Sequence, residues 1–236
     1  MKTGAIIFSR MSSGRLPGKA MLDISGKTLL NRVIERTKSI KLIDHICIAT
    51  STNIEDNIIE STAESHGIDV FRGDLNDVAR RAICAADYYG YDHFLRVCGD
   101  RPFLDGEIYD NLISIHLKNE NDLTTNIFPR SVPPGLTGEV IKVEALKNIL
   151  NLTTNREDRE HVTRYFYQNP SKFIIKNVDS YNFKNINELR LVIDNESDMN
   201  RAKWIINNTN DFDCKFNTQE IIYQAKIWEE KNNNKT

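Results

Sequence analysis

The chain has little that favours covalent or metal cross-linking. It has four cysteines in 236 residues, at Cys47, Cys84, Cys98 and Cys214. No two have CxxC spacing and three lie in apolar runs, so neither a zinc site nor a disulfide framework is expected. The thiols are read as buried groups in a reducing, cytoplasmic setting. No apolar run approaches the roughly 20 residues needed to cross a bilayer. The chain enters a strand-like run at Gly4 with no charged-then-apolar leader, and no signal peptide is expected. Neither charge dominates: 31 Lys and Arg face 33 Asp and Glu, a formal net charge of −2. That balance argues against a nucleic-acid coat or a polybasic membrane binder. Internal repeats are absent, as are the GxxxxGK[ST] and GxGxxG phosphate loops.

What is present is an alternation of elements. Short apolar runs at Gly4–Phe8, His45–Ala49, Ile68–Phe71 and Phe94–Cys98 read as strands. Helical spacing follows them at about 28–40, 55–66, 77–89 and 106–119, with Gly67 and Gly90 as stops. Strand and helix alternating at intervals of roughly 20–25 residues predict crossover units and a mostly parallel sheet. In such sheets ligands bind beyond the carboxyl ends of the strands. The second half reads differently. Residues 122–143 hold Pro129, Pro133, Pro134, Gly135 and Gly138 between extended runs, which predicts a loop or hairpin insertion. Beyond it come helix candidates at 144–152 and 159–168, strand candidates at 173–178 and 189–193, and closing helices at 196–206 and 219–230. A single domain over 1–230 is expected, with 122–180 as its insertion and 231–236 as a disordered polar tail.

Four stretches carry chemistry. The first, "SRMSSGRLPGK", places Arg10, Arg15 and Lys19 among Ser9, Ser12, Ser13 and Gly14, directly after a strand. Exposed backbone N–H groups with forked and point-like cations suit phosphate, and a solvated surface loop is the alternative. The second, "GDRP", holds Asp100 at a strand end before Pro102, as a Mg²⁺ ligand or as a turn aspartate. In the third, "VIDNESDM", Asp194 ends an apolar run, and Asn195, Glu196 and Asp198 form a helix start. There Asp194 is the ligand candidate and Asp198 the structural one. The fourth comprises "PPGLTGEV" and "REDREHVT". It offers Pro134, Thr137, Glu139, Arg159 and His161 to an anionic second substrate, against an exposed helix start with local ion pairs.

In this order, the motifs resemble those of the CMP-sugar synthetases. "RMSSGRLPGK" is similar to their R-x-x-S-x-R-L-P-G-K signature, "GDRP" to GDxP and "VIDNESDM" to VDTPEDL. "GEV" with "REHVT" resembles the spore coat polysaccharide type of cytidylyltransferase, related to the 3-deoxy-manno-octulosonate and acylneuraminate enzymes. The matches run from Arg10 to about Met199. The resemblance implies an α/β fold, a three-layer α/β/α Rossmann-like nucleotidyltransferase sandwich related to GT-A with a mostly parallel sheet. It implies CTP as donor, Mg²⁺ as cofactor with Mn²⁺ as a substitute, pyrophosphate as leaving group, and a homodimer built through the insertion.

Carried over by motif, Arg10, Arg15 and Lys19 hold the triphosphate, with Ser9, Ser13 and Gly14 in the same loop. Asp100 and Asp194 hold the metal. Arg72 and Asp74 line the nucleotide pocket. Relatives often read PDGLDVEV where this chain has "PPGLTGEV", so Pro134 and Thr137 replace acidic residues. That departure favours a more anionic or bulkier acceptor than the usual nonulosonic acid, so a small molecule bearing phosphate or phosphonate stands beside a sugar acid as the expected acceptor. The resulting expectation is CMP transfer from CTP in cell-surface polysaccharide or capsule synthesis. A GT-A glycosyltransferase and a catalytically silent nucleotide-binding subunit are the alternatives.

Overall fold

The computed structural model describes residues 1–179, 189–210 and 217–233. The expected alternation is present: β1 (Thr3–Phe8), α1 (Leu29–Thr37), β4 (His45–Ser51), α2 (Asn57–Ser65), β5 (Asp69–Gly73), α3 (Val78–Tyr89), β6 (His93–Cys98) and α4 (Gly106–Lys118). A two-stranded ribbon, β2 (Asp23–Ile24) with β3 (Lys27–Thr28), interrupts the first crossover. The helix starts follow from local chemistry. Thr28 caps α1 by accepting from the Asn31 amide, Asp77 caps α3 through the Arg80 amide, and Asp105 caps α4 through that of Glu107. Gly90 ends α3 in the left-handed conformation.

The insertion joins the main sheet. It comprises β7 (Leu123–Thr125), β8 (Glu139–Lys142), α5 (Val143–Leu152), α6 (Arg156–Glu160), α7 (Arg164–Gln168) and β9 (Ile175–Asn177). The seven strands run β5-β4-β1-β6-β8-β7-β9, and β8 opposes the direction of the others. The helix expected over 159–168 is two short helices, because the chain turns at His161–Thr163 between them. The strand expected at 189–193 is an extended segment that makes no ladder among the described residues. Its apolar residues Leu189, Leu191 and Ile193 are buried, and two of its amides reach other described backbone: Leu191 to Pro134 O at 2.7 Å and Ile193 to Asp100 O at 3.0 Å. Then come α8 (Glu196–Asn208) and α9 (Thr218–Asn233). The last helix runs past the expected start of the tail at 231; residues 234–236, like Cys214, lie outside the described residues.

Two apolar layers sandwich the sheet. On one face Ile7, Leu95 and Val97 pack against α1, α2, α4, α8 and α9. On the other, Ile6, Phe94 and Ile141 pack against α3, α5 and α7. Where the central strands end, Gly99 is indispensable. A Cβ there would lie 2.8 Å from Phe8 O and 3.0 Å from Ser9 Cβ, so only glycine lets the residue after β6 pass the residue after β1. Gly135, at φ 109°, plays the same part beside Leu191 O, where a Cβ would come within 2.5 Å.

One polar chain crosses the core. His93 Nδ1 and His116 Nε2 are 3.0 Å apart, and His116 Nδ1 lies 2.9 Å from Thr124 Oγ1. Burial, with His93 alongside, pulls the fully buried His116 down to about 3. The unfolded chain therefore takes up a proton there that the folded chain refuses, so stability falls as pH drops from about 6.5 towards 3. Urea melts at pH 7 and pH 5 are expected to show that His116→Gln removes about 2 kcal/mol of the wild-type loss. Equal losses in both proteins would contradict the assignment. For Gly99→Ala, we expect a folded protein with severely reduced turnover, checked by circular dichroism and product release; unchanged turnover would show that the close approach is dispensable.

Candidate active site

The cleft opens where β1 and β6 end, with a volume of about 400 Å³. Its centre is the Lys19 ammonium. Nζ lies 3.2 Å from Asp100 Oδ2, 3.1 Å from Asp194 Oδ1 and 2.8 Å from Ile193 O. Three segments far apart in sequence thus meet at one cation. Arg15 Nη2 reaches the same Asp194 oxygen at 2.9 Å, and Arg190 holds the other oxygen. Burial pushes the Asp194 carboxyl up, but Lys19, Arg15 and Arg190 outweigh it and hold the group below its ordinary value. The backbone beneath is fixed by a capping box at the start of α8. Asp198 Oδ2 accepts from the Asp194 and Asn195 amides, and the Asn195 side chain accepts from the Asp198 amide. The structural role read for Asp198 follows directly.

The loop carrying Lys19 is tied down at its start. Asp56 Oδ1 accepts from the Met11 amide at 2.7 Å, while Oδ2 takes Thr50 Oγ1 and the Ser51 amide. Burial raises the Asp56 carboxyl, yet these donors hold it below its usual range, so it remains an ionised clamp. Ser9, Arg10, Ser13, Gly14, Arg15 and Lys19 all line the cleft with Asp100, Asp194 and His161. Arg10 bonds Leu75 O at 3.2 Å and lies 3.7 Å from Glu160.

Other expected site residues sit elsewhere. Arg72 is spent on protein groups: its guanidinium bonds Ser51 O, Asn53 O, Asn57 Oδ1 and Glu60, which ties β5 to the start of α2. Asp74 accepts from the Asp77 and Asn76 amides, which lower its pKa, and shapes the turn before α3. Neither lines the cleft. Pro134 offers its carbonyl to Leu191, and Thr137 offers its carbonyl to Arg101 and to the Tyr109 hydroxyl. Glu139 lies in β8, almost wholly buried, with Oε2 2.5 Å from Arg96 Nη1 and Oε1 2.7 Å from the Tyr167 hydroxyl. Burial raises its carboxyl, but Arg96, Thr163 and Tyr167 more than offset that and keep it ionised. Arg159 pairs with Asp77 and so fastens α6 to the cap of α3. Of the expected acceptor residues, only His161 lines the cleft.

Sequence reading does not single out Arg81 or Arg96, which line the cleft with Val78 and Cys98; Glu160, read with Arg159 and His161 as an exposed helix start with local ion pairs, lines it too. Arg81 gives both its hydrogen bonds from Nη1, to Asp74 O and Leu75 O; burial and the nearby Arg10 lower it to about 10. Five Lys or Arg side chains and three Asp or Glu line the cleft, so positive charge gathers here in a chain whose net charge is −2. Among the described residues no three His, Cys, Asp or Glu side chains cluster as a metal cage. A hard divalent ion needs less, since two carboxylates suffice when substrate phosphates complete the shell. Asp100 and Asp194 already converge on one cation, the Lys19 ammonium, and this donor set fits such an ion.

A family model described as Cytidylyltransferase matches residues 4–232. The spore coat polysaccharide biosynthesis protein SpsF of Bacillus subtilis is 29% identical over 203 residues, covering 84% of this chain and 83% of that protein. A cytidylyltransferase structure from Leptospira borgpetersenii superposes with a TM-score of 0.88 at 29% identity, covering 99% of this chain and 96% of that one. The fold is shared with a CMP:2-keto-3-deoxy-manno-octonic acid synthetase solved in complex with CTP, at a TM-score of 0.65 and 15% identity over 88% of this chain and 99% of that chain. The chain belongs to the cytidylyltransferase family, whose members are CTP-dependent nucleotidyltransferases.

Proposed function

We propose that this protein transfers the cytidylyl group of CTP to a small anionic acceptor, with release of pyrophosphate. The observation that carries the reading is the convergence of Lys19, Asp100 and Asp194 beside Arg10 and Arg15, at the strand ends where this fold binds ligands. An excess of lining cations suits a fully ionised triphosphate accompanied by one divalent ion.

An acceptor oxygen attacks the α-phosphorus of CTP in line. The new P–O bond forms as the bond to the pyrophosphate oxygen breaks, and that oxygen leaves with the electron pair. Catalysis rests on positioning and charge neutralisation. Lys19, Arg10 and Arg15 take the charge that grows on the departing pyrophosphate, with Ser13 and Gly14 in the same lining. Asp100 and Asp194 would hold Mg²⁺, or Mn²⁺ in its place, which would supply Lewis-acid charge neutralisation to the phosphates. A phosphate, phosphonate or carboxylate oxygen is already ionised at neutral pH and needs no general base. A sugar hydroxyl does, and His161 is the titratable imidazole lining the cleft.

In this reading the product is a CMP-activated precursor of a cell-surface polysaccharide or capsule, in keeping with the name of the spore coat relative. The enzyme works in the cytoplasm as a homodimer assembled through residues 122–180.

Lys19→Ala and Asp100→Asn are each expected to lower pyrophosphate release on the order of 10²–10³-fold while the protein stays folded. Near-normal turnover in either folded variant would remove the site assignment. A pyrophosphate-release screen of CTP, ATP, GTP and UTP against sugar acids, phosphorylated small molecules and phosphonates is expected to select CTP with one anionic class. Selection of another nucleotide would overturn the donor.

A further inference from the structure

The floor of the cleft holds a guanidinium that triphosphate binding leaves without a task. Arg96 follows Leu95, which pairs with Val140 in the antiparallel β6–β8 ladder, so Arg96 stands across from Glu139. Its one hydrogen bond leaves from Nη1, to Glu139 Oε2, and its buried Nε has no partner among the described residues. Glu139 is already engaged by other groups. Its other oxygen serves Tyr167, Thr163 also bonds it, and a second guanidinium, Arg101, draws on the same charge. Arg101 is itself anchored to Thr137 O, and its buried Nε is likewise unpartnered among the described residues. Arg96 thus has Glu139 as its ion-pair partner, while Arg101 draws on Asp100 as well as Glu139, in a setting that penalises uncompensated charge.

Arg96 is not sealed in. Its side chain keeps 22% of its exposure and lines the cleft. Cys98, two residues on along the same face of β6, lies beside it in the lining, and His161 lines the cleft as well. Cys98 and His161 bring no further carboxylate to Arg96, whose ion-pair partner among the described residues is Glu139. Lys19 and Arg15, by contrast, are engaged with Asp194, and Arg10 lies near Glu160.

We propose that Arg96, flanked by Cys98 and His161, seats the anionic group of the acceptor, with Glu139 as the positioning residue that aims the guanidinium. The site takes a carboxylate, phosphate or phosphonate through the N–H groups that Glu139 leaves open. Glu139 also holds Thr163 and Tyr167, just beyond His161, so one buried carboxylate fixes both the floor and the segment above it. This assignment rests on the cytidylyl-transfer reading and names where its second substrate docks.

The test separates the two. The protein is saturated with Mg²⁺ and α,β-methylene-CTP, which cannot release pyrophosphate, and titrated by NMR with pyruvate in one arm and methylphosphonate in the other. Failure of the analogue to bind would count against the cytidylyl-transfer reading itself. With the analogue bound, at least one anion is expected to bind the wild type. Arg96→Met is expected to weaken that anion about tenfold or more while changing analogue affinity less than about threefold. Cys98→Asp, which leaves the Arg96–Glu139 pair in place, is expected to exclude the anion in the same way. If Arg96→Met strands Glu139 and fails to fold, the double variant R96M/E139Q removes both charges together and is read identically. Wild-type anion affinity in the folded variants, or no anion binding to the loaded wild type, would overturn the proposal.

Discussion

Much of this structure is arranged so that one ammonium group can sit between two carboxylates. Lys19, Asp100 and Asp194 come from a loop after the first strand, a corner after the fourth central-sheet strand, and a segment near the end of the chain. Each is brought there by a different device: Gly99 permits the close pass of two strand ends, Asp56 ties the loop through Met11, and the α8 capping box fixes the backbone of Asp194. Partly buried ion pairs of this kind are poor sources of stability, because desolvation offsets much of the attraction. So much scaffolding around a marginal interaction is better understood as preorganisation for a ligand that carries both a cation and phosphates.

The same cleft holds both signs of charge. Asp100 and Asp194 meet Lys19, and Asp194 also meets Arg15 and Arg190, in ion pairs. Arg81 and Arg96 enter the lining from α3 and β6, Arg96 paired with Glu139 and Arg81 acted on by Asp56, Asp74 and Asp77. A metal-bearing triphosphate and a second anion need both signs: carboxylates for the ion and cations for the anionic groups. A uniformly basic pocket would bind both anions but hold no metal, and a uniformly acidic one would repel the nucleotide.

How much of this was legible in the sequence depended on distance along the chain. Strands β1, β4 and β6 with their helices were readable because buried apolar runs and nearby caps encode them locally. The loop cations and the two aspartates were readable because they cluster in motifs at element ends. Leu189–Ile193 was misread for a physical reason. An apolar run reports burial, and this segment bonds Pro134 and Asp100 without pairing to a strand among the described residues. Arg72 and Asp74 are assigned to the nucleotide pocket through the family resemblance, yet nearby backbone and side-chain groups consume them. Arg81 and Arg96 went unnoticed because a single charge within a helix or strand has the signature of a solvated face. What makes each of them notable is a neighbour tens of residues away.

Glu139 shows most directly why acceptor recognition resists sequence reading. Its setting in "PPGLTGEV" suggests an open loop offering a carboxylate to a substrate. The glycine and proline residues instead turn the chain so that β8 can enter the sheet beside β6, which buries Glu139 against Arg96. The carboxylate then acts on the acceptor only through the guanidinium it orients. It also bonds Tyr167 and Thr163, so a change in the "PPGLTGEV" loop moves the cleft floor and the His161 segment together. Acceptor preference within this fold therefore changes in coordinated sets of residues, and single substitutions at Glu139 fall first on folding.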